Sequence, residues 1–455
     1  MTAKILAVLL LLAALAVSAA MPAARADSFT LSQCISYALD HNKALTAKKE
    51  DVPQADGRLK DAWSPALPHL DATAGYTWLS DVPTIKTPGS PDITTGPAGP
   101  QVNMTFQEVK MGSADNYRLD LKLTQNLFTS GMIANGIRSA KAAGAAAREG
   151  VLAQQETLEE QVAEAFYGVL FAQDLYRAKK ESLDVSRAHL EDVRKSFQFG
   201  ASSRYELLRS ELDVANLEPQ VLQAENNVRI AKTGLKSAMG YDLGQPIDVS
   251  GTLEGTDLSL DYDAAISSAV KNRHELAVLD RSFDAQHAGT WVATAGMLPK
   301  LTAFGENTLQ KPWYFSQDWK DIWSVGLGLS VPLFDGLSAW GKRGESLAKE
   351  RQIKKQKAVT LEGIDLTIRR ALLDLTEIRD RIVKTRDNVG RSDELVRIVD
   401  ISYRNGVATN IDVLDAQLAM TNAKTAYIQA LYDFQIARTK LLAAAGRLNA
   451  QGVEK

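Results

Sequence analysis

The chain has 455 residues, with 52 basic and 55 acidic side chains and a formal net charge of −3 at neutral pH. This balance gives no indication of the concentrated basic surface that nucleic-acid binding requires, so we expect no nucleic-acid partner. The single cysteine, Cys34, cannot form an intramolecular disulfide. The fold must therefore be stable without disulfide bonds.

Residues 1–26 predict a signal peptide. Lys4 precedes an apolar run from Ile5 to Ala20, and Ala24-Arg25-Ala26 matches an A-x-A cleavage site. An uncleaved anchor is the alternative, but the run is short for a membrane span and small residues follow it. No later run of about 18 apolar residues exists. A membrane-inserted form would therefore need strands closed into a barrel.

A duplicated pattern divides the rest of the chain into two repeats. An aromatic residue, a glycine and a carboxylate recur at an offset of 206 residues, whereas matching positions upstream differ by 231. The first repeat therefore carries about 25 extra residues between Leu70 and Leu127. Internal repeats define the architecture before any local prediction. The predicted boundaries are 27–240 for the first repeat, 241–261 for a linker, 262–446 for the second repeat and 447–455 for a C-terminal tail.

Four segments alternate apolar and polar residues, which predicts two β-hairpins, at about 69–128 and 300–334. The Pro/Gly/Thr-rich stretch 79–116 predicts a long exposed loop inside the first hairpin. Segments of about ten residues suit transmembrane strands, although a soluble half-buried sheet alternates in the same way. Four strands cannot close a barrel, so a membrane form needs several protomers in a ring. Aromatic residues cluster at the segment ends, as in membrane girdles: Trp78, Tyr117, Trp313, Tyr314, Trp319 and Trp323.

After each hairpin, apolar spacings of three and four residues predict long helices with coiled-coil stripes. The first, from about 133 to 197, would be roughly 90 Å long. Gly200 and Gly406 are predicted to end the outgoing helices, and Ser202 and Thr409 to cap the returning ones. We expect Tyr205, Leu208 and Leu212 on the first returning helix, and Ile364, Ile368, Leu372, Leu375, Ile378 and Ile382 in the second half, to form packing stripes.

Several motifs together resemble the outer membrane efflux protein family, the TolC-like channels. The most specific runs from Ser402 to Leu418 (SYRNGVATNIDVLDAQL), supported by Val331–Gly336 (VPLFDG) and Gln125–Gly131 (QNLFTSG). The resemblance implies an α+β membrane protein that forms a homotrimer. Its antiparallel helical hairpins would form a trimeric α-barrel in the periplasm. Four strands per protomer would contribute to a shared twelve-stranded transmembrane β-barrel, and the linker and chain ends would form an equatorial belt.

The same resemblance implies a function in a Gram-negative type envelope. The protein would be the outer membrane exit duct of a tripartite efflux or type I secretion system, carrying small molecules or proteins. Its partners would be a periplasmic adaptor, an inner-membrane RND or ABC transporter, and outer membrane lipid. No cofactor is implied.

The resemblance also assigns roles to residues at the helical tips. Asp412, Asp415 and Glu206 match positions of a periplasmic gate, although acids near a helix N-terminus also complement the helix dipole without any gating role. Two positions depart from well-known members, because Ala408 and Tyr205 replace an arginine and a threonine. Arg204 or Arg404 could substitute for the missing arginine. The predicted adaptor-docking tips are Gly200, Ala201, Ser202, Gly406, Val407 and Ala408.

Three other functional classes fit less well. An enzyme is disfavoured because the five histidines form no metal pair at helical spacing and no G-x-S-x-G or phosphate-binding loop is present. A periplasmic adaptor would have one helical hairpin where this chain predicts two. A structural coiled-coil protein of the envelope would not need strands with an apolar outer face.

Overall fold

The computed structural model describes residues 27–254 and 260–448. The predicted signal peptide lies outside the described residues, as do part of the linker and most of the tail. The described chain is mostly helical with some β-sheet, and it divides into two compact units. Of the described residues, the first unit contains 27–51, 147–254, 260–278 and 356–448, and the second contains 52–146 and 279–355.

The elements follow the chain in two similar series: short helices, strands, one very long helix and a returning helix. Helices α4 and α8 each have 67 residues, or about 100 Å at 1.5 Å per residue. No described helix is both long and apolar enough to cross a membrane. The helices are α1 (Leu31–His41), α2 (Lys43–Lys49), α3 (Asp51–Trp63), α4 (Met132–Gln198), α5 (Arg204–Met239), α6 (Tyr262–Asn272), α7 (His274–Ala295), α8 (Ser338–Arg404) and α9 (Asn410–Ala444). The strands are β1 (Asp27–Phe29), β2 (His69–Trp78), β3 (Thr84–Gly96), β4 (Gly99–Lys110), β5 (Asp115–Phe128), β6 (Ile247–Val249), β7 (Lys300–Lys311) and β8 (Lys320–Ser330).

Two helical hairpins pack side by side in the first unit. Leu183 and Val193 of α4 form a buried cluster with Leu207 of α5, and a second cluster joins α8 to α9. Helix α9 also runs antiparallel along α4, with the rings of Phe171 and Tyr432 stacked at 4.7 Å. The returning helix of the second hairpin is thereby held against the outgoing helix of the first.

The predicted packing stripe on α8 is buried within the protomer, whereas the predicted stripe on α5 is not. Ile364, Ile368, Leu375 and Ile378 are buried on α8. On α5, by contrast, Tyr205, Leu208 and Leu212 are exposed. Spacings of three and four residues fit both faces of α5, and the turn of the hairpin directs the other face inward. That inner face carries Leu207, Ser210 and Val214.

The end of each returning helix contacts the short helices that precede the strands. A Cβ on Gly240 would lie 2.6 Å from the His41 carbonyl oxygen, and a Cβ on Gly446 would lie 3.0 Å from Cβ of Asn272. Both glycines have positive φ, 72° and 63°. Glycine is therefore needed twice at equivalent positions, for the turn and for the close approach. Around the first contact, β1 pairs in parallel with β6, which joins residues 27–29 to the linker.

The second unit contains an antiparallel sheet of order β2-β5-β7-β8. One row across the sheet joins Leu123, Gly305 and Val325, on the apolar face. Val325 on this face is 87% exposed. Phe304, which interrupts the alternation in the sequence, lies on the opposite face beside Gly326, where a Cβ would come within 2.6 Å of its ring. The irregularity is therefore an aromatic ring seated over a glycine.

The predicted loop 79–116 is largely a β-ribbon, which corrects the sequence interpretation. Strands β3 and β4 pair antiparallel from Thr84↔Lys110 to Gly96↔Gly99. The register shifts between Pro88 and Pro91, since proline cannot donate to the ladder and is tolerated at irregular or edge positions. The prolines and glycines that indicated a loop thus mark a bulge and a tight turn.

Candidate functional site: the helical tips

Both hairpins turn through the same backbone motif. At the first tip the N–H of Ala201 donates to the Ser196 carbonyl (2.8 Å), and at the second the N–H of Val407 donates to the Ser402 carbonyl (2.9 Å). Gly200 and Gly406 have φ of 74° and 72°. This is the glycine-terminated helix end in which a left-handed residue lets the chain satisfy the last carbonyls.

Two capping boxes start the returning helices. The Ser203 hydroxyl accepts from the N–H of Glu206, whose carboxylate accepts from the N–H of Ser203 at 2.9 Å. Thr409 and Asp412 form the same pair, with Asp412 Oδ2 at 2.7 Å from the Thr409 nitrogen. The predicted cap Ser202 is wrong by one residue. The repeat offset itself marks Ser203, because it matches Thr409.

The two predicted gate aspartates have different surroundings, although both are exposed. Hydrogen bonds from the hydroxyl and the backbone N–H of Thr409 lower the pKa of Asp412 below its ordinary range. Asp412 is therefore ionised at neutral pH and also stabilises its helix start. Asp415, one turn later, makes no hydrogen bond or ion pair with another described residue. Its carboxylate is free to interact with ions.

A buried polar cluster joins the two returning helices next to these acids. Asn410, 2% exposed, donates from Nδ2 to the Glu206 carbonyl oxygen (3.2 Å). Its Oδ1 accepts from Nε2 of His189 (2.6 Å) and from the Ser210 hydroxyl (3.2 Å). Because a carbonyl can only accept, the bond to Glu206 fixes the amide orientation, and Nε2 of His189 must carry the proton. The first turns of α5 and α9 are thus tied together through one side chain.

The polar contacts continue along α4 and α9. Ser186 donates to Gln417 (3.2 Å), and the hydroxyls of Ser182 and Thr421 are 2.8 Å apart. All four side chains are buried. We name the set Ser182, Ser186, His189, Ser210, Asn410, Gln417 and Thr421 the polar seam. Sequence reasoning missed the polar seam because its partners are 200 residues or more apart in the chain.

The ends of the tips expose apolar side chains. Phe199 is 87% exposed and Val407 is 81% exposed, each beside its tip glycine. Phe199 was not among the predicted docking residues. Its position before Gly200 is the signal that could have found it. Arg404 was a candidate to substitute for the arginine that Ala408 replaces. Its guanidinium nitrogen lies 3.2 Å from a carboxylate oxygen of Asp400 in the same helix.

A family model described as outer membrane efflux protein matches residues 34–241 and 265–447. The chain belongs to the outer membrane efflux protein family. The family predicted from the sequence motifs is confirmed, and with it the location in the outer membrane, with helices in the periplasm. The match spans both repeats and both tips, so the predicted tip residues fall within the family region.

Known proteins resemble three quarters or more of the chain. The alkaline protease secretion protein AprF of Pseudomonas aeruginosa is 26% identical over 356 residues, covering 75% of this chain and 72% of that protein. Nodulation protein T of Rhizobium leguminosarum bv. viciae is 24% identical over 433 residues, covering 89% and 80%. The solved outer-membrane channel OprN has the same fold, with a TM-score of 0.76, 18% identity and coverage of 92% and 90%.

Proposed function

We propose that this protein is the exit duct of a tripartite export system, built as a homotrimer. The sheet carries the argument. Strands β2 and β8 lie at its two edges, and each pairs on one side only among the described residues. Unpaired edges are not tolerated in lipid, and four strands are too few to close a barrel. Three copies arranged in a ring would close a twelve-stranded barrel, in line with the predicted fold.

Exposed apolar side chains on α5 support the same assembly. Tyr205, Leu208 and Leu212 are each about half exposed or more in one protomer, at 61%, 49% and 56%. Neighbouring protomers would bury this stripe in a helical barrel. Its coiled-coil spacing suits packing of that kind.

The periplasmic gate is the second part of the proposal. Three copies each of Asp412 and Asp415 would form a ring of carboxylates on the lumen axis, and Glu206 would mark the matching position of the first repeat. Like charges close together repel, and they attract cations into the constriction. Asp412 thereby has two roles, in the cap and in the ring. The ionised state of Asp412 supports a cation-selective entrance.

The tips are the proposed docking site for the periplasmic adaptor, through Gly200, Ala201, Ser202, Gly406, Val407 and Ala408. The exposed Phe199 and Val407 support it, since apolar side chains at the end of a polar helix suit a protein contact. A photo-crosslinking residue in place of Val407 should give an adduct with a periplasmic adaptor in cells, and the same residue at Val359, exposed on α8, should not. Equal crosslinking at both positions, or none at Val407, would contradict docking at the tips.

The inner-membrane partner would be an RND or ABC transporter, which supplies the energy and selects the cargo. AprF is named as a protease secretion protein, which favours a secretion role among the relatives. For this chain the proposal covers the duct, for small molecules or for proteins.

Native mass measurement and planar-bilayer recording together test the duct. The purified mature protein should have the mass of three chains and should give small, discrete openings. A folded protein that stays monomeric and never inserts into a bilayer would refute the proposal.

A further inference from the structure

Three tryptophans lie on the helical turns next to the strands of the second unit. Trp63 ends α3, Trp291 lies near the end of α7, and Trp340 lies near the start of α8; they are 45%, 48% and 63% exposed. Tryptophan is enriched where a membrane meets water. We name these three residues the tryptophan belt. They lie at the opposite ends of the strands from Trp78 and Trp319, so the sheet has exposed aromatic residues at both ends.

Taken together, the same turns have an excess of basic side chains, although the chain as a whole is acidic. The ten helical residues nearest the strands on α3, α4, α7 and α8 contain six basic and three acidic side chains in total, and the excess lies on α4 and α8. Basic side chains beside a membrane attract anionic lipid headgroups, by about 1 kcal/mol each near the surface. The four segments are residues 54–63, 132–141, 286–295 and 338–347.

A groove of about 740 Å³ lies between α4 and α7 at this level. This volume is within the range of small-molecule sites. Two hydrogen bonds hold the side chains that line this groove. Nε1 of Trp291 donates to the Ser130 carbonyl oxygen (3.2 Å), and Nδ2 of Asn135 donates to the Gly131 carbonyl oxygen (3.0 Å). A Cβ on Gly131 would lie 2.8 Å from Nε1 of Trp291. Glycine at this turn therefore allows the indole to lie against the backbone.

Arg138 is the available cation of this groove. Among the described residues, no carboxylate lies within ion-pair distance of its guanidinium. The acids nearby have other partners, since Asp284 is 3.7 Å from Arg281 and Glu350 is 3.4 Å from His287. A guanidinium donates to phosphate in a fixed, two-pronged geometry.

A second cation lies one turn further along α4. Lys141 is three residues after Arg138, which places both on one side of the helix. Its Nζ lies 5.9 Å from the centre of the Trp63 ring. The two cations thus connect the groove to a second member of the tryptophan belt.

We propose that this groove binds the phosphate of an anionic phospholipid in the periplasmic leaflet. Arg138 holds the phosphate, Lys141 contributes to the positive potential, and the indoles of Trp291 and Trp63 lie at the boundary between headgroups and acyl chains. The lipid fixes the depth at which the helices leave the membrane. This site is separate from the gate and from the docking tips.

Native mass spectrometry with added lipid tests the site. The full mature protein in detergent is titrated with phosphatidylglycerol or phosphatidylcholine, and bound lipids are counted. Arg138→Gln/Lys141→Gln should weaken phosphatidylglycerol binding roughly 10- to 30-fold and weaken phosphatidylcholine binding less, because the choline cation already balances the phosphate of that lipid. Lys384→Gln/Arg386→Gln is the matched control. It removes the same charge from exposed positions on α8 that lie roughly 70 Å along that helix from its first residue, far beyond the screening length.

Three results would overturn the proposal. The first is a wild-type protein that binds the two lipids equally. The second is a control variant that loses as much phosphatidylglycerol as the groove variant. The third is displacement of phosphatidylglycerol by inorganic phosphate alone, which would indicate a free phosphate site. Channel recordings of the groove variant separate this site from the proposed duct, because conductance should be unchanged.

Discussion

Asn410 should control how firmly the two tips hold together. In Asn410→Ala, the ring N–H of His189 and the hydroxyl of Ser210 lose a buried partner, and the Glu206 carbonyl loses a donor. Each buried polar group left unpaired costs about 1 to 3 kcal/mol. Water entering the space offsets part of that cost, so we expect a local loss of about 2 to 4 kcal/mol.

Hydrogen exchange followed by mass spectrometry measures this loss directly. Amides in the first turns of α5 and α9 should exchange roughly 30- to 700-fold faster in Asn410→Ala, because local opening determines their rate. Asn405→Ala is the matched control at the same tip, since the side-chain amide of the exposed Asn405 donates to the Ile401 carbonyl of its own helix, at 2.8 Å, and to no other described residue. It should change exchange at most about 5-fold.

A second variant distinguishes the effect of unpaired polar groups from the effect of lost side-chain volume. The double substitution His189→Leu/Asn410→Leu removes the imidazole ring and the amide together. It should exchange more slowly than Asn410→Ala, because an apolar pair leaves fewer buried polar groups unsatisfied. Equal exchange in Asn410→Ala and Asn405→Ala would refute the claim that the polar seam holds the tips.

Two further predictions concern the first unit. Burial, reinforced by the charge of Glu156, raises the pKa of Glu159 from its ordinary 4.5 to about 7. The folded state then binds the extra proton, so its stability is full below pH 4.5 and falls as the pH rises through 7. Glu159→Gln should therefore raise the free energy of unfolding at pH 8 by roughly 1 to 2 kcal/mol, a figure reduced because solvent reaches this carboxyl group. The same variant should change the free energy of unfolding little at pH 4.5. Equal shifts of the thermal unfolding midpoint at pH 4.5 and pH 8 would contradict this prediction. Gly240→Ala should destabilise the folded protein by roughly 2 to 4 kcal/mol. The new Cβ would clash with the His41 carbonyl oxygen, and residue 240 has a positive φ that alanine rarely adopts. Gly234→Ala on the same helix meets no atom within 4 Å and should be neutral or stabilising in the same thermal unfolding experiment, by up to about 1 kcal/mol.

The sequence predicted the features that repeat. Long helices, glycine turns and alternating strands each leave a periodic pattern, and two copies of that pattern confirmed one another at Gly200 and Gly406. The family could be named because the motif after Ser402 combines several of these signals. The constant offset between the two repeats also identifies individual capping residues that one repeat alone does not identify. Ser203 is the example, since it matches Thr409 at that offset and Ser202 does not.

The rest of the structure depends on contacts that a linear pattern does not contain. Tyr205 and Leu207 lie on stripes of similar spacing, and only the turn of the hairpin decides which is buried. The ribbon from Thr84 to Lys110 was missed because its prolines and glycines also suit a loop. The polar seam was missed because Asn410 and His189 are separated by 221 residues and meet only when α9 packs on α4.

The acidic gate is the central functional claim, and ion selectivity tests it most directly. The reversal potential under a potassium chloride gradient should show cation selectivity for the wild type. Asp412→Asn/Asp415→Asn should lose that selectivity, while the amide at 412 still accepts the N–H of Thr409 and preserves the cap. Asp380→Asn/Asp387→Asn removes two exposed carboxylates from α8, away from the tips, and should retain selectivity. The same reversal potential in all three proteins would contradict a gate formed by Asp412 and Asp415.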